Sequence, residues 1–412
     1  MTKLEELIQE LCPDGVEYKP LGDIATISRG GSFQKKDYTE NGVPCIHYGQ
    51  IYMYYGLFAE KTLTYISEEV AQKQKFAEPG DIIMAVTSEN MEDVCKCMAW
   101  LGSKKIAVSG HTAIIHHSIN PKYLVYWLSS IMFYQQKVKI AHGTKVIEVA
   151  PARLADIILP VPPLPVQREI VRILDNFTEL TAELTAELTA RKKQYEFYRD
   201  KLLTFDVLGR RTSKVVWRAL GEVCDVVAGG TPSKKDTAYW EHGTIKWLGS
   251  TVCQNQKNIE TVTAYITEKG LAESSTKLMG KGTTLVALVG ATIGKVAFLP
   301  FEAAINQNIA GVYPKNIHEL NPSYVYYACT LLYPKFLALT QGSKLAMANM
   351  SFVRSLKIPV PSLEVQNRIV FVLDNFNALC TDLSSGLPAE IEARQKQYEY
   401  YRDKLLEFEK MR

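Results

Sequence analysis

An internal repeat constrains the architecture of this chain more than any other feature of its sequence. The segment PVPPLPVQREIVRILDNF at 160–177 recurs as PVPSLEVQNRIVFVLDNF at 359–376. A second segment, ARKKQYEFYRDKLLTF at 190–205, recurs as ARQKQYEYYRDKLLEF at 393–408. Repeats of this length mean that one structural unit occurs twice, so the 412 residues are predicted to form two related halves.

The segments ahead of these two blocks are also related, but only at scattered positions. The matches are two glycine pairs, two lysine pairs and two Gly-Thr/Ser-Lys triplets: Gly30-Gly31 with Gly229-Gly230, Lys35-Lys36 with Lys234-Lys235, and Gly143-Thr144-Lys145 with Gly342-Ser343-Lys344. Most other positions have diverged. The sequence therefore predicts one scaffold that carries two different surfaces.

Residues 166–205 contain no glycine or proline, and apolar residues alternate there at spacings of three and four, which is typical of a coiled coil. A helix of this length spans about 60 Å. In the second copy, over 365–410, Gly386 and Pro388 predict a break. We expect the two long helices to pack antiparallel across a pseudo-twofold axis, while packing of each helix on its own domain alone stays open. The seam of the first helix is Leu174, Phe177, Thr181, Leu184, Leu188, Arg191, Tyr195, Tyr198 and Leu202.

The globular halves mix strand and helix patterns. Short apolar runs at 81–86 and 283–288 are typical of buried strands, and 121–136 and 322–337 resemble helices with proline in the first turn. The predicted fold class is mixed α/β (α+β), with two globular domains separated by two long helices packed as an antiparallel coiled coil. The predicted segments are a first globular domain at 1–158, a central helical region at 159–209, a second globular domain at 210–357 and a C-terminal helical region at 358–412.

Composition narrows the function only by exclusion. Lys and Arg number 47 against 44 for Asp and Glu, so affinity for nucleic acid would have to come from local patches. The eight cysteines are scattered without paired CxxC knuckles, which predicts free thiols in a reducing compartment. No apolar run of membrane-spanning length occurs, and the first residues lack the basic and apolar order of a signal peptide. We therefore expect a cytoplasmic protein that does not bind a membrane.

The motifs of catalysis are incomplete wherever they can be tested. Residues 290–296 resemble a phosphate loop, but the loop is one residue short and Val296 stands where Ser or Thr would hold magnesium. Asn120-Pro121 and Asn321-Pro322 resemble part of the motif by which adenine methyltransferases hold a flipped base, yet a helix N-cap followed by proline explains them better. We therefore predict no catalytic residue and no metal ligand in this chain.

What remains is a pattern typical of binding to phosphates and bases. Glycine turns with hydroxyls and lysines suit phosphates, and polar or aromatic stretches that differ between the halves suit base edges. The phosphate-type candidates are Gly30, Gly31, Ser32, Lys35, Lys36, Thr144, Lys145, Gly229, Gly230, Thr231, Lys234, Lys235, Lys295, Ser343 and Lys344. The base-readout candidates are His47, Tyr48, Gln50, Ser88, Asn90, His111, Lys246, Trp247, Ser250, Thr251, Asn306 and Gln307.

These features together resemble the DNA specificity subunits of type I restriction-modification systems. The resemblance covers the whole chain: two variable target-recognition domains, each followed by a helical region that begins Leu-Pro-x-Pro-Pro-Leu-x-x-Gln and ends in Tyr-x-x-x-Arg-x-x-Leu-Leu. The matching segments are 159–167 with 195–203, and 358–366 with 398–406. The TAELTAEL segment at 181–188 is similar to the short tandem repeat that some members carry in the central helix.

The resemblance implies a chain without a catalytic site that serves bacterial defence through other subunits. Its partners would be double-stranded DNA with a bipartite asymmetric target, two adenine methyltransferase (modification) subunits bound at the helical regions, and restriction/translocase subunits. No cofactor is expected in this chain, because S-adenosylmethionine, ATP and magnesium would belong to the partners. From the residues alone, the alternative is a non-DNA scaffold or assembly protein with two ligand-binding domains on a coiled-coil spine, and a stand-alone methyltransferase or nuclease ranks third.

Overall fold

The computed structural model describes residues 2–205, 215–259, 261–340, 347–382 and 385–411. The chain divides into two compact units, Met1–Thr185 with Glu390–Arg412, and Ala186–Ala389. Each unit joins one globular domain with parts of both helical regions. The four segments predicted from the sequence follow the repeat, whereas the compact units follow the packing of helices on domains.

The first unit contains short strands and short helices ahead of one long helix. The strands are β1 Tyr18–Pro20, β2 Ala25–Arg29, β3 Tyr38–Thr39, β4 Val43–Ile46, β5 Phe58–Ala59, β6 Thr64–Ile66, β7 Lys75–Ala77, β8 Ile82–Ala85, β9 Thr87–Ser88, β10 Cys97–Trp100, β11 Ile106–Val108, β12 Thr112–His117, β13 Ile147–Glu148 and β14 Ile158–Pro160. The helices are α1 Lys3–Leu11, α2 Leu21–Ile24, α3 Tyr48–Met53, α4 Glu68–Ala71, α5 Pro121–Trp127, α6 Ile131–Ile140 and α7 Leu164–Thr204, whose second part belongs to the second unit.

Two five-stranded sheets form the globular part of the first unit. One has the order β2-β12-β8-β10-β5 and the other β3-β6-β4-β11-β7. Each sheet includes a parallel pair, β10 with β5 and β11 with β4. The antiparallel pair of β1 with β14 joins the start of the domain to the segment before α7, and β9 pairs with β13.

The second unit has a related but shorter set of described strands. Its strands are β15 Val216–Ala219, β16 Cys224–Ala228, β17 Ile245–Leu248, β18 Ala264–Ile266, β19 Lys277–Met279, β20 Thr284–Ala287, β21 Val296–Phe298, β22 Ala303–Ile305, β23 Ile309–Pro314 and β24 Lys357–Val360. Within the described residues, the α-helices that follow α7 are α8 Leu220–Val223, α9 Glu268–Ala272, α10 Pro322–Thr330, α11 Tyr333–Thr340, α12 Met350–Ser355, α13 Leu363–Thr381 and α14 Leu387–Leu405, of which α14 from Glu390 onwards belongs to the first unit.

The sheets of the second unit have the same order as those of the first. The order β16-β23-β20-β21 corresponds to β2-β12-β8-β10, and β18-β17-β22-β19 corresponds to β6-β4-β11-β7. The pair of β15 with β24 corresponds to that of β1 with β14. The duplicated mixed α/β scaffold predicted from the sequence is therefore confirmed, while β3, β5, β9 and β13 of the first unit have no counterpart among the described strands of the second.

The helices predicted over 121–136 and 322–337 each divide into two. In the first unit the chain turns after Trp127, and the Ser130 hydroxyl accepts the Phe133 N–H at 3.4 Å, which caps a separate helix α6. In the second unit α10 ends at Thr330 and α11 begins at Tyr333. The prediction of one continuous helix in each half was wrong, because the apolar pattern continues through the turn.

Each globular domain has an apolar core between its two sheets. In the first unit this core includes Ile46 and Val108 from one sheet and Ile83 from the other, all of them fully buried or nearly so. In the second unit Leu248 and Leu285 take equivalent places. Larger cores on the other side of the sheets β2-β12-β8-β10-β5 and β16-β23-β20-β21 hold α5 and α7 in the first unit, and α10 and α13 in the second. The sheets are thus fixed on both sides, which leaves their loop ends to vary.

In the first unit, the beginning of α7 packs antiparallel to α14. Phe177 of α7 stacks on Tyr401 of α14, with the ring centroids 5.5 Å apart. The Val161 N–H, just before α7, donates to the Glu17 carbonyl at 2.9 Å. The neighbouring Val16 pairs with Lys410, which lies just after α14. The start of α7 therefore lies beside the end of α14.

In the second unit, the end of α7 packs antiparallel to α13. The rings of Tyr198 and Phe376 lie 6.4 Å apart. Lys192, earlier in α7, lies near Cys380, later in α13, and its charge opposes the rise that burial causes in the pKa of that thiol. The break predicted around Gly386 is confirmed, since α13 and α14 are separate helices. The antiparallel packing predicted from the seam is found within each unit.

Candidate nucleic-acid interface

Three loops meet at one end of the first globular domain, namely those that follow β4, β8 and β11. The Ser109 N–H donates to the Ile46 carbonyl at 3.1 Å, which ties the loop after β11 to the end of β4. The Val86 N–H donates to the His111 carbonyl at 3.0 Å, and the Val149 N–H donates to the Val86 carbonyl at 2.9 Å. The segment before Val149, which contains the Gly-Thr-Lys triplet, therefore reaches the same end.

The second domain joins the equivalent loops by equivalent hydrogen bonds. The Asn306 N–H donates to the Leu248 carbonyl at 3.0 Å. The Leu288 N–H donates to the Asn308 carbonyl at 2.8 Å, and the Ala348 N–H donates to the Leu288 carbonyl at 2.9 Å. Both domains thus use one backbone arrangement to hold loops of different sequence.

Close backbone packing explains the two glycine pairs. A Cβ at Gly30 would overlap the Ser109 carbonyl, and a Cβ at Gly229 would overlap the Ile305 carbonyl. The N–H groups of these two glycines and of Gly31 and Gly230 bond to carbonyls within their own domain. The phosphate contacts predicted for the glycine N–H groups do not fit this arrangement, because these donors already bond within the domain and the glycines shape the loops.

Several of the lysines and hydroxyls around these loops are exposed to solvent. Lys35 and Lys36 form a 3-10 turn that directly follows the first glycine loop. Their exposed ammonium groups can approach phosphates as the sequence predicted. Ser343 and Lys344 lie outside the described residues, and Thr231 is half-buried. The exposed candidates of the phosphate type are Ser32, Lys35, Lys36, Thr144, Lys145, Lys234 and Lys235.

Tyr48 connects two neighbouring grooves at this end of the first domain, and its ring centroid lies 4.9 Å from that of His111. Candidates that the sequence places in separate loops therefore form one continuous surface. The lining of the first groove includes Arg29, Ser32, His47, Tyr48 and His111, and that of the second includes Tyr48, Ser88, Glu89, Asn90 and Val146.

His47 and Gln50 face the interior. The His47 Nδ1 accepts the Gly49 N–H at 3.2 Å, and the Gln50 Oε1 accepts the His47 N–H at 2.9 Å while its Nε2 donates to a threonine hydroxyl. Burial, followed by the charges of Lys35 and His111, lowers the pKa of His47 from its ordinary value. The base contact predicted for Gln50 does not fit its position, because its buried amide closes the N-terminus of α3.

Ser88 and Asn90 belong to a loop with a fixed internal geometry. The Ser88 hydroxyl accepts the Asn90 N–H at 3.4 Å. The Asn90 Oδ1 accepts the Asp93 N–H at 2.7 Å, and its Nδ2 donates to the Asp93 carboxylate at 2.8 Å. Pairing of Ser88 with Ile147 attaches this loop to β13. The Asn90 amide is thus largely engaged within its own loop.

Trp247 and Lys246 contribute to the packing of the second domain. The Trp247 side chain is 7% exposed, and its Nε1 donates to the Gly230 carbonyl at 3.1 Å. The Lys246 ammonium lies 3.9 Å from the ring centroid of Phe301, which precedes β22, whereas the candidate loops follow that strand. The base contacts predicted for Trp247 and Lys246 therefore do not fit their positions.

Gln307 is the exposed side chain of the loop after β22. Its Oε1 accepts the Thr231 hydroxyl, so the loop that follows β16 contacts the loop that follows β22. Asn306 is 8% exposed, and its Oδ1 accepts the Asn308 N–H at 3.0 Å. Gln307 is therefore better placed than Asn306 for contact with a ligand.

The loop after β17 and the turn after β20 are linked through Gln254. Its Nε2 donates to the Thr251 carbonyl at 3.0 Å, and its Oε1 accepts the Lys295 ammonium at 3.1 Å. The Thr251 side chain is exposed and that of Ser250 is half-buried. Positive φ at Gly294 confirms the tight turn that was predicted beside Lys295.

Sequence reasoning missed Arg29 and Tyr52. The Arg29 Nε donates to the Gly110 carbonyl at 3.0 Å and its Nη2 donates to Glu148 at 3.3 Å, so it joins the end of β2 to the loop after β11 and to β13. The Tyr52 hydroxyl donates to the Thr87 carbonyl at 2.7 Å and thereby supports the second groove. Arg29 could have been found from its place directly before the glycine pair. Tyr52 reaches the groove only because α3 forms, and no local pattern indicates this.

The motif fragments tested for catalysis have structural roles. The Asn120 Oδ1 accepts the Lys122 N–H at 2.9 Å, and the Asn321 Oδ1 accepts the Ser323 N–H at 2.8 Å, so the N-cap interpretation is confirmed. Within the residues that the structure describes, no group of three or more His, Cys, Asp or Glu side chains is placed to hold a metal ion. In the same part of the chain, no helix combines the length and the apolar character needed to cross a membrane.

Comparison with known proteins gives the class of this fold and surface. The family model of the type I restriction modification DNA specificity domain matches the chain twice, at residues 13–191 and 212–393. The specificity subunit of the type I restriction enzyme EcoR124I/EcoR124II from Escherichia coli is 34% identical over 428 residues, which cover 100% of this chain and 98% of that protein. The chain therefore belongs to the DNA specificity subunits of type I restriction-modification systems.

Solved structures share the fold. One, from a study of complex assembly and conformational transition of the type I restriction-modification system, has a TM-score of 0.67 and 18% identity, and covers 95% of this chain and 97% of its own. The S subunit of a type I system from M. genitalium has a TM-score of 0.52 and 16% identity, and covers 95% of this chain and 96% of its own. The family membership confirms the predicted class of non-catalytic specificity subunit and disfavours the non-DNA scaffold.

Proposed function

We propose that each globular domain recognises one half of a bipartite double-stranded DNA target through the loops that follow β4, β8 and β11, or their equivalents β17, β20 and β22. One observation carries this proposal: the same backbone hydrogen bonds hold these loops in both domains, while the side chains that the loops present differ. A common frame with different polar groups suits two domains that dock alike and read different sequences.

The exposed and half-buried polar side chains of these loops divide into two kinds in each domain. Lysines at the rim would contact phosphates, which gives affinity without sequence preference. Tyr48, Ser88 and His111 in the first domain, and Thr251 and Gln307 in the second, would contact base edges. The roles differ in what they predict: loss of a rim lysine weakens binding to every sequence, and loss of a base contact changes one position of one half-site.

The helical regions would bind two methyltransferase subunits and, with them, restriction subunits. Large apolar side chains remain exposed on these helices: Phe197 is 53% exposed, Phe371 69% and Tyr400 61%. Such residues are enriched at protein interfaces. S-adenosylmethionine, ATP and magnesium would be bound by these partners, and the assembly would act on DNA in the cytoplasm.

A methylation map tests the proposal. The chain is expressed with its modification subunit in a host that lacks other methyltransferases, and adenine methylation is mapped by single-molecule sequencing. The expected result is a new bipartite motif that is absent when the modification subunit is expressed alone. If no motif appears, although the same modification subunit is active with another specificity chain, DNA recognition by this chain is excluded.

A further inference from the structure

The second groove of the first domain contains a carboxylate that the proposed function does not use. Glu89 is exposed and lies between Ser88 and Asn90 in a groove that Tyr48 and Val146 also line. Among the residues that the structure describes, no hydrogen bond or ion pair engages its carboxylate, whereas both neighbours take part in hydrogen bonds of the loop. Among the groove-lining residues Ser88, Glu89 and Asn90, Glu89 is therefore the one whose side chain is not engaged within the described part of the chain.

The loop that carries Glu89 is anchored at several points. The buried Lys137 ammonium donates to the Glu92 carbonyl at 2.8 Å and to the Val94 carbonyl at 2.7 Å. The Cys95 N–H donates to the Ala85 carbonyl at 2.9 Å at the end of the loop. A side chain presented by a loop fixed in this way keeps its direction on binding, which is what base readout requires.

A free carboxylate on a DNA-binding surface has a restricted choice of DNA partner. It repels phosphates, and because it only accepts hydrogen bonds it needs a donor. In the major groove the amino groups of cytosine and adenine are the donors, but the adenine amino group lies beside the acceptor N7, which repels a carboxylate. Cytosine N4 has no such neighbour on the same base.

We propose that the Glu89 carboxylate reads the N4 amino group of a cytosine in the major groove of the half-site that the first domain binds. This inference rests on the proposed function. The equivalent turn of the second domain, at 290–295, carries no carboxylate. Glu89 would thus be a specificity-determining residue with an acidic contact that the second domain does not make through this loop.

The experiment selects binding sequences from a randomised double-stranded DNA library with the full chain in its complex with the modification subunit. Wild type is compared with Glu89→Gln. Glu78→Gln makes the same change in charge at an exposed site before β8, the end of that strand opposite to Glu89. Gln307→Ala in the second domain identifies which half-site belongs to which domain. Affinities for the selected duplexes are then measured one by one.

We expect Glu89→Gln to lose about 5- to 100-fold of the discrimination for cytosine at one position of the first half-site. The second half-site should not change, and Glu78→Gln should give the wild-type motif. If Glu89→Gln raises affinity for all duplexes by one factor and keeps the motif, or relaxes a position where cytosine is not preferred, the inference is overturned. If wild type selects no motif at all, the proposed function itself fails.

Discussion

In the first unit, Tyr126 and Lys122 both bond to Asp175 of α7, at 2.7 and 2.6 Å. In the second unit, Tyr327 bonds to Asp374, the equivalent residue of α13, but the lysine that joins it is Lys257, which precedes β18 instead of lying on the helix after β23. The same charge arrangement at the joint between domain and helix is thus reached from different parts of the chain. The contact at the joint is retained even where the residue that supplies it is not.

At the other end of the domains, the two units support equivalent loops by different kinds of contact. In the first unit the connection between β8 and β10 is held from behind by the buried ammonium of Lys137. In the second unit the connection between β20 and β21 rests on the ring of Phe336, which lies so close to Gly294 that a Cβ there would overlap it. A polar contact supports the loop of the first unit and an apolar contact supports the loop of the second. The two loops therefore adopt different shapes on the same sheet scaffold.

The largest loss of stability is expected at the contact between globular domain and helix, which both units retain. The Gln167 Nε2 donates to the Pro162 carbonyl at 2.7 Å and its Oε1 accepts the Asn120 N–H at 2.9 Å. Gln167→Leu leaves both groups unpaired and should lower the free energy of unfolding of the first unit by about 2–4 kcal/mol. Urea denaturation measures the loss, and hydrogen exchange in α5 shows which unit is affected.

Gln366→Leu is the equivalent change in the second unit and allows the two joints to be compared directly. Gln366 makes three such bonds, to the Asn321 N–H and to the Glu319 and Pro361 carbonyls, so Gln366→Leu should cost at least as much, with the loss in α10. Gln135→Leu, an exposed change of the same kind on α6, serves as the control and should have little effect. Equal destabilisation by the control would contradict the assigned role of the joint.

A smaller effect is expected from Lys137→Met. The change removes the donor to two loop carbonyls and should cost about 1–3 kcal/mol. It should reduce discrimination at the first half-site and leave the second unchanged, because the second loop rests on Phe336. Phe336→Leu is the matched change and should affect only the second half-site. Selection from a randomised duplex library gives both results, and equal loss at both half-sites by either variant would count against separate supports.

The rim lysines should have a moderate effect that does not depend on sequence. Lys35→Ala with Lys36→Ala removes two exposed charges from the first domain, and Lys234→Ala with Lys235→Ala removes two from the second. Each double change should weaken binding to all sequences and reduce the slope of log affinity against log salt by about 2. Salt titrations of duplex binding measure this slope. A loss of preference at one half-site alone would instead make these lysines base readers.

The smallest effect on either half is expected from a deletion in α7. Removal of residues 185–188, one TAEL element, shortens the helix by about 6 Å. If α7 sets the gap between the half-sites, this gap should shrink by about one or two base pairs at about 3.4 Å each, while both half-sites keep their sequence. Replacement of the four residues by alanines preserves the length and should keep the gap. If a methylation map of the deletion variant shows an unchanged gap, the hypothesis that α7 sets the distance between the half-sites is wrong.

The sequence predicted the scaffold well because repetition and periodicity are local properties. The strand order of one domain recurs in the other, the break at Gly386 is present, and both Asn-Pro pairs cap helices. The sequence was less successful with the candidate interface. Gln50 and Trp247 have the chemistry of base readers but are buried, and Asn90 is bonded within its own loop.

The amino-acid sequence by itself thus determined the duplication, the helical seams and the polar character of the recognition loops. Only the tertiary structure decided which of those polar groups are free. A donor or acceptor is available to DNA when no other segment has already paired with it. The Gly230 N–H is not available, because it bonds to the Ile305 carbonyl. The Glu89 carboxylate remains available, because Lys137 holds its loop through backbone carbonyls. Where such a pairing joins residues far apart in the chain, no local pattern contains it.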